Sequence, residues 1–219
     1  MTGPMNLRTL RFVIVGIVAF LVIGGRVAAS RGSKGDGLQH ELTPEIRAAG
    51  LKFTPGVAAG DQQWILAAIA QARPEAQQLI GAVDGLVTIT TVNLPGAPFV
   101  GLAQQGTDEI QLNIAYLDGE RKQDRTQAVL HELGHVIDHA LVPQDLDDRL
   151  DAMIPRTGSC GQTSTGLTGS CTEPAERFAD TYAKWALRGA VSAVGAGYGV
   201  ANPPSLEDWG APLIPLGYH

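Results

Sequence analysis

Cations are scarce in this chain of 219 residues, which holds 16 Lys and Arg against 22 Asp and Glu for a net charge of −6. The first 29 residues contain three arginines and no acid. The remainder therefore carries 13 basic and 22 acidic side chains, a balance of −9. A nucleic-acid binder needs clustered Lys and Arg to neutralise phosphates, so DNA and RNA are excluded as expected partners. Cysteine is equally sparse, with only Cys160 and Cys171, too few to complete a thiolate metal site on their own. No internal repeat is visible. A fully apolar run long enough for a permanent membrane span is also lacking. The longest, "FVIVGIVAFLVIGG" from Phe12 to Gly25, has 14 residues, and as a helix it would extend roughly 21 Å against a hydrocarbon core of ~30 Å.

That run follows Arg8 and Arg11 and precedes "VAAS", with the small residues Val27 and Ala29 at the positions a signal peptidase reads. Residues 1–29 are expected to be a signal peptide cleaved after Ala29 or an uncleaved N-terminal membrane anchor. No cysteine stands near the junction, which excludes lipoprotein processing. Either version places the rest of the chain outside the cytoplasm. In that oxidising setting Cys160 and Cys171, flanking "GQTSTGLTGS", are expected to form a disulfide, a closure that contributes about 3 kcal/mol in the chain-entropy picture.

Residues 30–42, "SRGSKGDGLQHEL", are Gly-rich and aperiodic at their start and read as a flexible linker; one domain is expected over 43–219. A short helix is expected from Thr43. A longer one, "QQWILAAIAQA", is capped by Asp61 and interrupted near Pro74. "LVTITTV" and "FVGLAQ" read as strands. "EIQLNIA" alternates, with Ile110, Leu112 and Ile114 on one face and Glu109, Gln111 and Asn113 on a wet one. A long helix is expected from about Glu120 to Leu141, ended by Pro143, then an acidic helix through "PQDLDDRLDAM". A further helix, "EPAERFADTYAKWALRG", has Pro174 in its first turn and Gly189 at its stop. The final thirty residues are rich in Gly and Pro and are expected to wrap the surface.

The stretch "HELGHVIDH" carries three of the five histidines. On a helix His131 and His135 stand one turn apart and about 40° around the axis, so both imidazoles reach one ion. Glu132 is offset by about 100°, beside the ligands, where its carboxylate can act on water as a general base. Two histidines leave one ligand missing. "EPAERFAD" offers Glu176 with Asp180 four residues on; Glu176 would complete a zinc site and Asp180 would hold the far nitrogen of a ligand histidine. Glu173 is the alternative ligand, disfavoured because Pro174 marks the helix start and no acid follows it at the same spacing. Asp138, seven residues after His131, either supports the site or faces water. Phe178, Tyr182 and Trp185 recur at helical spacing and are expected to pack the core.

"HELGH" followed by "ERFAD" resembles the gluzincin branch of zinc metallopeptidases. The longer phrases "HELGHVIDH" and "PAERFADTYA" are most similar to the anthrax lethal factor-like and Pro-Pro endopeptidase group. The similarity covers roughly Glu109 to Trp185, about a third of the chain. It implies an α+β, zincin-like fold with a small, mostly antiparallel sheet packed on the active-site helix. It also implies a peptide or protein substrate laid along an antiparallel edge strand, a role that falls to "EIQLNIA". The implied cofactor is Zn2+, held by His131, His135 and Glu176 with Glu132 catalytic. That group places a tyrosine seven residues before the third ligand, where this chain has Gly169; Tyr182, Tyr198 and His139 are the candidate replacements. Metzincins would require Gly at 138 and His at 141, where Asp138 and Leu141 stand. The competing functional reading is a catalytically silent zincin fold serving as an extracytoplasmic binding or structural module, and the presence of Glu132 weighs against it.

Overall fold

The computed structural model describes residues 50–83, 85–97, 99–104, 108–117, 124–156, 173–190 and 199–218. The N-terminal apolar run, the linker, the helix expected from Thr43, Gly169, Tyr198 and the Cys160/Cys171 pair lie outside them. Among the described residues no helix is long and apolar enough to cross a membrane.

The architecture is α+β, with four short strands in one mixed sheet. Strand β1 (Lys52–Phe53) is followed by helices α1 (Ala59–Ala70) and α2 (Pro74–Ala82), then by β2 (Thr88–Val92), β3 (Gly101–Gln104) and β4 (Glu109–Asn113). A single turn, α3 (Ile114–Leu117), leads to the long helix α4 (Arg125–Leu141), then α5 (Gln144–Met153), α6 (Pro174–Ala186), α7 (Leu206–Gly210) and a 3-10 helix over Ala211–Tyr218. The strand order is β1-β2-β4-β3.

The expectation of a mostly antiparallel sheet is overturned. β1 runs parallel to β2 and β2 parallel to β4, with Thr88 opposite Glu109 and Val92 opposite Asn113; only β3 and β4 are antiparallel, with Gly101 opposite Leu112. Asn113 ties the crossing segment to this arrangement. Expected on a wet face, it is fully buried. Its Nδ2 donates to the carbonyls of Leu94 (3.0 Å) and Phe99 (3.2 Å), and its Oδ1 accepts from Leu94 N–H (3.0 Å). The segment between β2 and β3 is thereby pinned across the end of β4, so the chain passes the slot beside β2 before turning back. β4 then fills that slot in parallel, and β3 is left on the outside. Each of these bonds satisfies a buried amide that would otherwise cost about 1–3 kcal/mol.

The inner sheet face follows the alternation in the sequence. Ile89, Ile110 and Leu112 are fully enclosed and meet Leu130, Leu133 and Ile137 of α4 in one continuous core with Ile65, Leu79 and Ile80. Ile114 does not continue the strand, because the chain turns helical there. α1 starts at an Ala58 cap, and Asp61 sits inside its first turn, where it accepts from the Trp64 indole (2.9 Å). α4 starts five residues later than expected because Asp124, in extended conformation, caps it by accepting from Thr126 and Gln127 N–H at 3.0 and 3.1 Å.

α6 packs along α4 and is covered from Arg177 to Ala186. Two cations are buried with it. Arg177 pairs with Asp151 and donates to the Asp151 and Ile154 carbonyls, while Lys184 reaches Val200 O and Asp180. Phe178, Tyr182 and Trp185 pack the core, as their spacing predicts. The C-terminal segment does more than wrap the surface: Trp209 and Leu213 are fully enclosed, with the Trp209 indole donating to Leu150 O (3.2 Å).

Candidate metal centre

The Asp124 cap fixes where α4 begins, and its 17 residues carry His131 and His135 toward the start of α6. There the two imidazoles meet Glu176. His131 Nε2 lies 3.2 Å from His135 Nε2 and 3.1 Å from Glu176 Oε2, and His135 Nε2 lies 3.7 Å from Glu176 Oε1. Ligands about 2.0–2.1 Å from a tetrahedral zinc stand about 3.3–3.4 Å from one another, close to the separation of the two imidazole nitrogens, and with one donor atom taken from each residue the three atoms lie within 4.8 Å of one another. Two imidazole nitrogens and one carboxylate form a donor set that zinc accepts and that leaves a fourth position open. The site is recessed yet reachable, since the side chains of His135 and Glu176 keep 14% and 22% of their surface.

Burial and charge set the protonation states of this cluster without a metal. Burial opposes the imidazolium of His131, but its bond to Glu176, with the charges of Glu132, Glu176 and Asp180, outweighs that and raises its pKa. Burial, reinforced by the charge of His131, lowers His135 to about 4, which leaves that ring neutral. Glu176 is lowered despite its burial, through its bond to His131 and the charges of both histidines. Burial lifts Glu132 to about 7, opposed by the charge of His131 and by an N–H bond from Ala103.

Glu132 is buried beside this triad and directed at β3. Space for it exists because residue 101 is glycine: a Cβ there would stand 2.5 Å from Glu132 Oε1. Behind the ligands, Asp180 is fully buried, accepting from Gln127 Nε2 (3.3 Å) and pairing with Lys184 Nζ (2.7 Å). It acts on His131 through its charge. Gly134 lets the two ligand-bearing helices touch, since a Cβ on it would lie 2.9 Å from the Cα of Ala179.

The structure separates the remaining candidates. Glu173 is exposed at the cap of α6 and takes no part in the cluster, whereas Glu176 does. Asp138 is half-buried on α4 and is not a member of the ligand triad. Tyr182 is ruled out as a group acting on substrate, because it is fully enclosed and its hydroxyl donates to Ala76 O (3.3 Å). Burial holds that hydroxyl's pKa well above the phenolic range. His139 is exposed and lines a depression next to His135. Neither Gln127, four residues before His131, nor Lys184, four residues after Asp180, is singled out from the sequence alone, although each stands one helical turn from a site residue; Gly101 and Ala103 carried no such signal. Comparisons with family models, with curated proteins and with solved structures find no match for this chain.

Proposed function

We propose that this chain is an exported or membrane-anchored zinc metallopeptidase with a zincin-like catalytic domain. The observation that carries the reading is the convergence of His131, His135 and Glu176, with one donor atom from each within 4.8 Å of the others, beside a buried glutamate outside that group. A zinc ion bound there supplies Lewis acidity toward a peptide carbonyl and acidifies water. Glu132 is the general base: its carboxylate takes a proton from the attacking water and later delivers it to the amine nitrogen of the departing product.

The edge strand that would receive substrate is β3, not β4, which is paired on both sides. Asn113 N–H donates to Val100 O (2.8 Å), so by antiparallel alternation the backbone groups of Leu102 turn inward and those of Gly101 and Ala103 turn outward, where the Ala103 N–H is taken by Glu132 and the Ala103 carbonyl and the Gly101 groups face the edge. A peptide adding there as an extended strand lies over the carboxylate of Glu132. Gln127 and Lys184 hold Asp180, whose charge favours the bound geometry of His131 toward a cation. The export assignment rests on the arginine-flanked apolar run at 12–25 and the small residues after it.

Metal analysis of the purified protein combined with incubation of wild type and Glu132→Gln against a diverse peptide library tests the proposal. About one zinc per chain, with cleavage by wild type and none by the variant, is expected. A metal content near zero in folded protein, or equal turnover by the variant, rejects it.

A further inference from the structure

Beside the metal cluster lies a depression lined by Ala103 and Gln104 of β3, by Asp108, and by His135, Val136 and His139 of α4. His135 belongs to both places, so whatever fills the depression sits next to the bond being cut. β3 runs from Gly101 toward Gln104, and Asp108 lies just beyond that end, immediately before β4. A peptide pairing antiparallel to β3 runs the other way. Its amino-terminal part therefore lies over the Gln104 and Asp108 end, while Glu132, facing Gly101 and Ala103, lies toward the departing amine.

The chemistry of the depression is asymmetric. Ala103 and Val136 are apolar, and Asp108 is the one acidic residue among those lining it. The backbone of Asp108 is fixed: its φ is 49°, a left-handed conformation that Asp tolerates, and its carbonyl accepts from Thr88 N–H at 3.0 Å. Among the described residues no Lys or Arg pairs with this carboxylate, whereas half-buried Asp151 is paired with Arg177. The adjoining charged residues in sequence, Glu109 and Asp138, are also acidic, and residues 105–107 carry no charge. A lysine or arginine side chain matches this surface, with its methylenes on the apolar residues and its cation at the carboxylate.

We propose that this depression is the subsite that selects peptides with Lys or Arg on the amino-terminal side of the scissile bond, with Asp108 as the specificity-determining residue. The inference rests on the peptidase reading of the metal centre. The test uses zinc-loaded Glu132→Gln protein and matched peptides bearing Lys, Ala or Glu at one position, with binding measured directly, and wild-type protein for mapping cleavage sites. The Lys peptide is expected to bind at least about tenfold more tightly than the Ala peptide, with the Glu peptide weakest. Asp108→Asn retains the left-handed backbone and should bring the Lys-to-Ala ratio close to one; Asp108→Lys should invert the order in favour of Glu. Equal or undetectable binding of the Lys and Ala peptides, a ratio unchanged by Asp108→Asn, or basic residues mapped only to the carboxyl-terminal side overturns the proposal. Absence of zinc or of turnover sinks the peptidase reading by itself, while the binding ratio still decides the subsite.

Discussion

Gly101 lies directly against Glu132: a Cβ on the glycine would stand 2.5 Å from the glutamate's Oε1 and 2.7 Å from its Cδ and Cγ. Glu132, the proposed general base, is thus seated in the space of a missing side chain and tethered by the amide of Ala103. Neither contact involves a metal ligand.

Gly101→Ala should therefore displace the base while leaving the ligand triad in place. A shift of about 1 Å at a reacting group costs on the order of 100-fold in rate. We expect kcat to fall by roughly that factor with zinc content unchanged, measured by single-turnover kinetics alongside metal analysis. An unaltered kcat would show that Glu132 is not positioned by this contact.

Gly134→Ala separates the two helices instead. The new methyl meets backbone, not a flexible side-chain end, at 2.9 Å from Ala179 Cα. Overpacking of this kind costs about 1–3 kcal/mol, and it also carries Glu176 away from the histidines. Urea midpoint and zinc affinity should both decline. If stability drops but zinc affinity matches wild type, the helix spacing does not govern the site.

Zinc should stabilise the fold and do so less in acid. In the metal-free protein the raised pKa of His131 means that its protonated form contributes stability below about 6.5, lost as pH climbs through the raised value. Zinc must displace that proton. His135, lowered to about 4, is already neutral and releases none near neutrality. The apparent zinc affinity should consequently rise between pH 6 and pH 8 with at least about one proton released per ion, read by calorimetry in buffers of differing ionisation enthalpy. An affinity flat across that interval would contradict the proposed ligand set.

Asp151→Ala strands a buried cation. The side chain of Arg177 is 3% exposed and that of Asp151 13%, and removing one partner of such a pair costs about 3 kcal/mol or more. Because Arg177 rides on α6 one residue after Glu176, denaturation should be markedly easier. Removing the exposed Arg149 and Asp145 pair, whose side chains are 70% and 81% exposed, should leave the midpoint within error. Equal effects from the two substitutions would refute this account of what anchors α6.

Much of the candidate site was legible before any fold was known, and the misreadings of the sheet were of one kind. The HExxH spacing and the Glu176/Asp180 pair lie on helices, where a 3.6-residue period ties neighbours in sequence to neighbours in space. "EIQLNIA" was read correctly as a strand over Glu109–Asn113 with Ile110 and Leu112 inward, but not in its last two residues, which are helical, nor in its place in the sheet. Alternation reports which face of a strand is covered; it carries no record of whether its edges are paired. The burial of Asn113, the parallel pairing of β2 with β4 and the outer position of β3 all depend on where the 93–100 segment crosses, which is a long-range event.

The candidate ligands, the proposed base beside them and the two helices that present them were already written in the primary structure, because each is a local pattern of residues about one turn apart. Folding alone brings α4 and α6 together at Gly134 closely enough to set three candidate donors within 4.8 Å of one another. It likewise decided that β3 is the free edge, with Gly101 leaving room for Glu132 and Asp108 standing at its far end. Those relationships join residues dozens of positions apart, and they are set by how side chains fill a shared core, which no local period records.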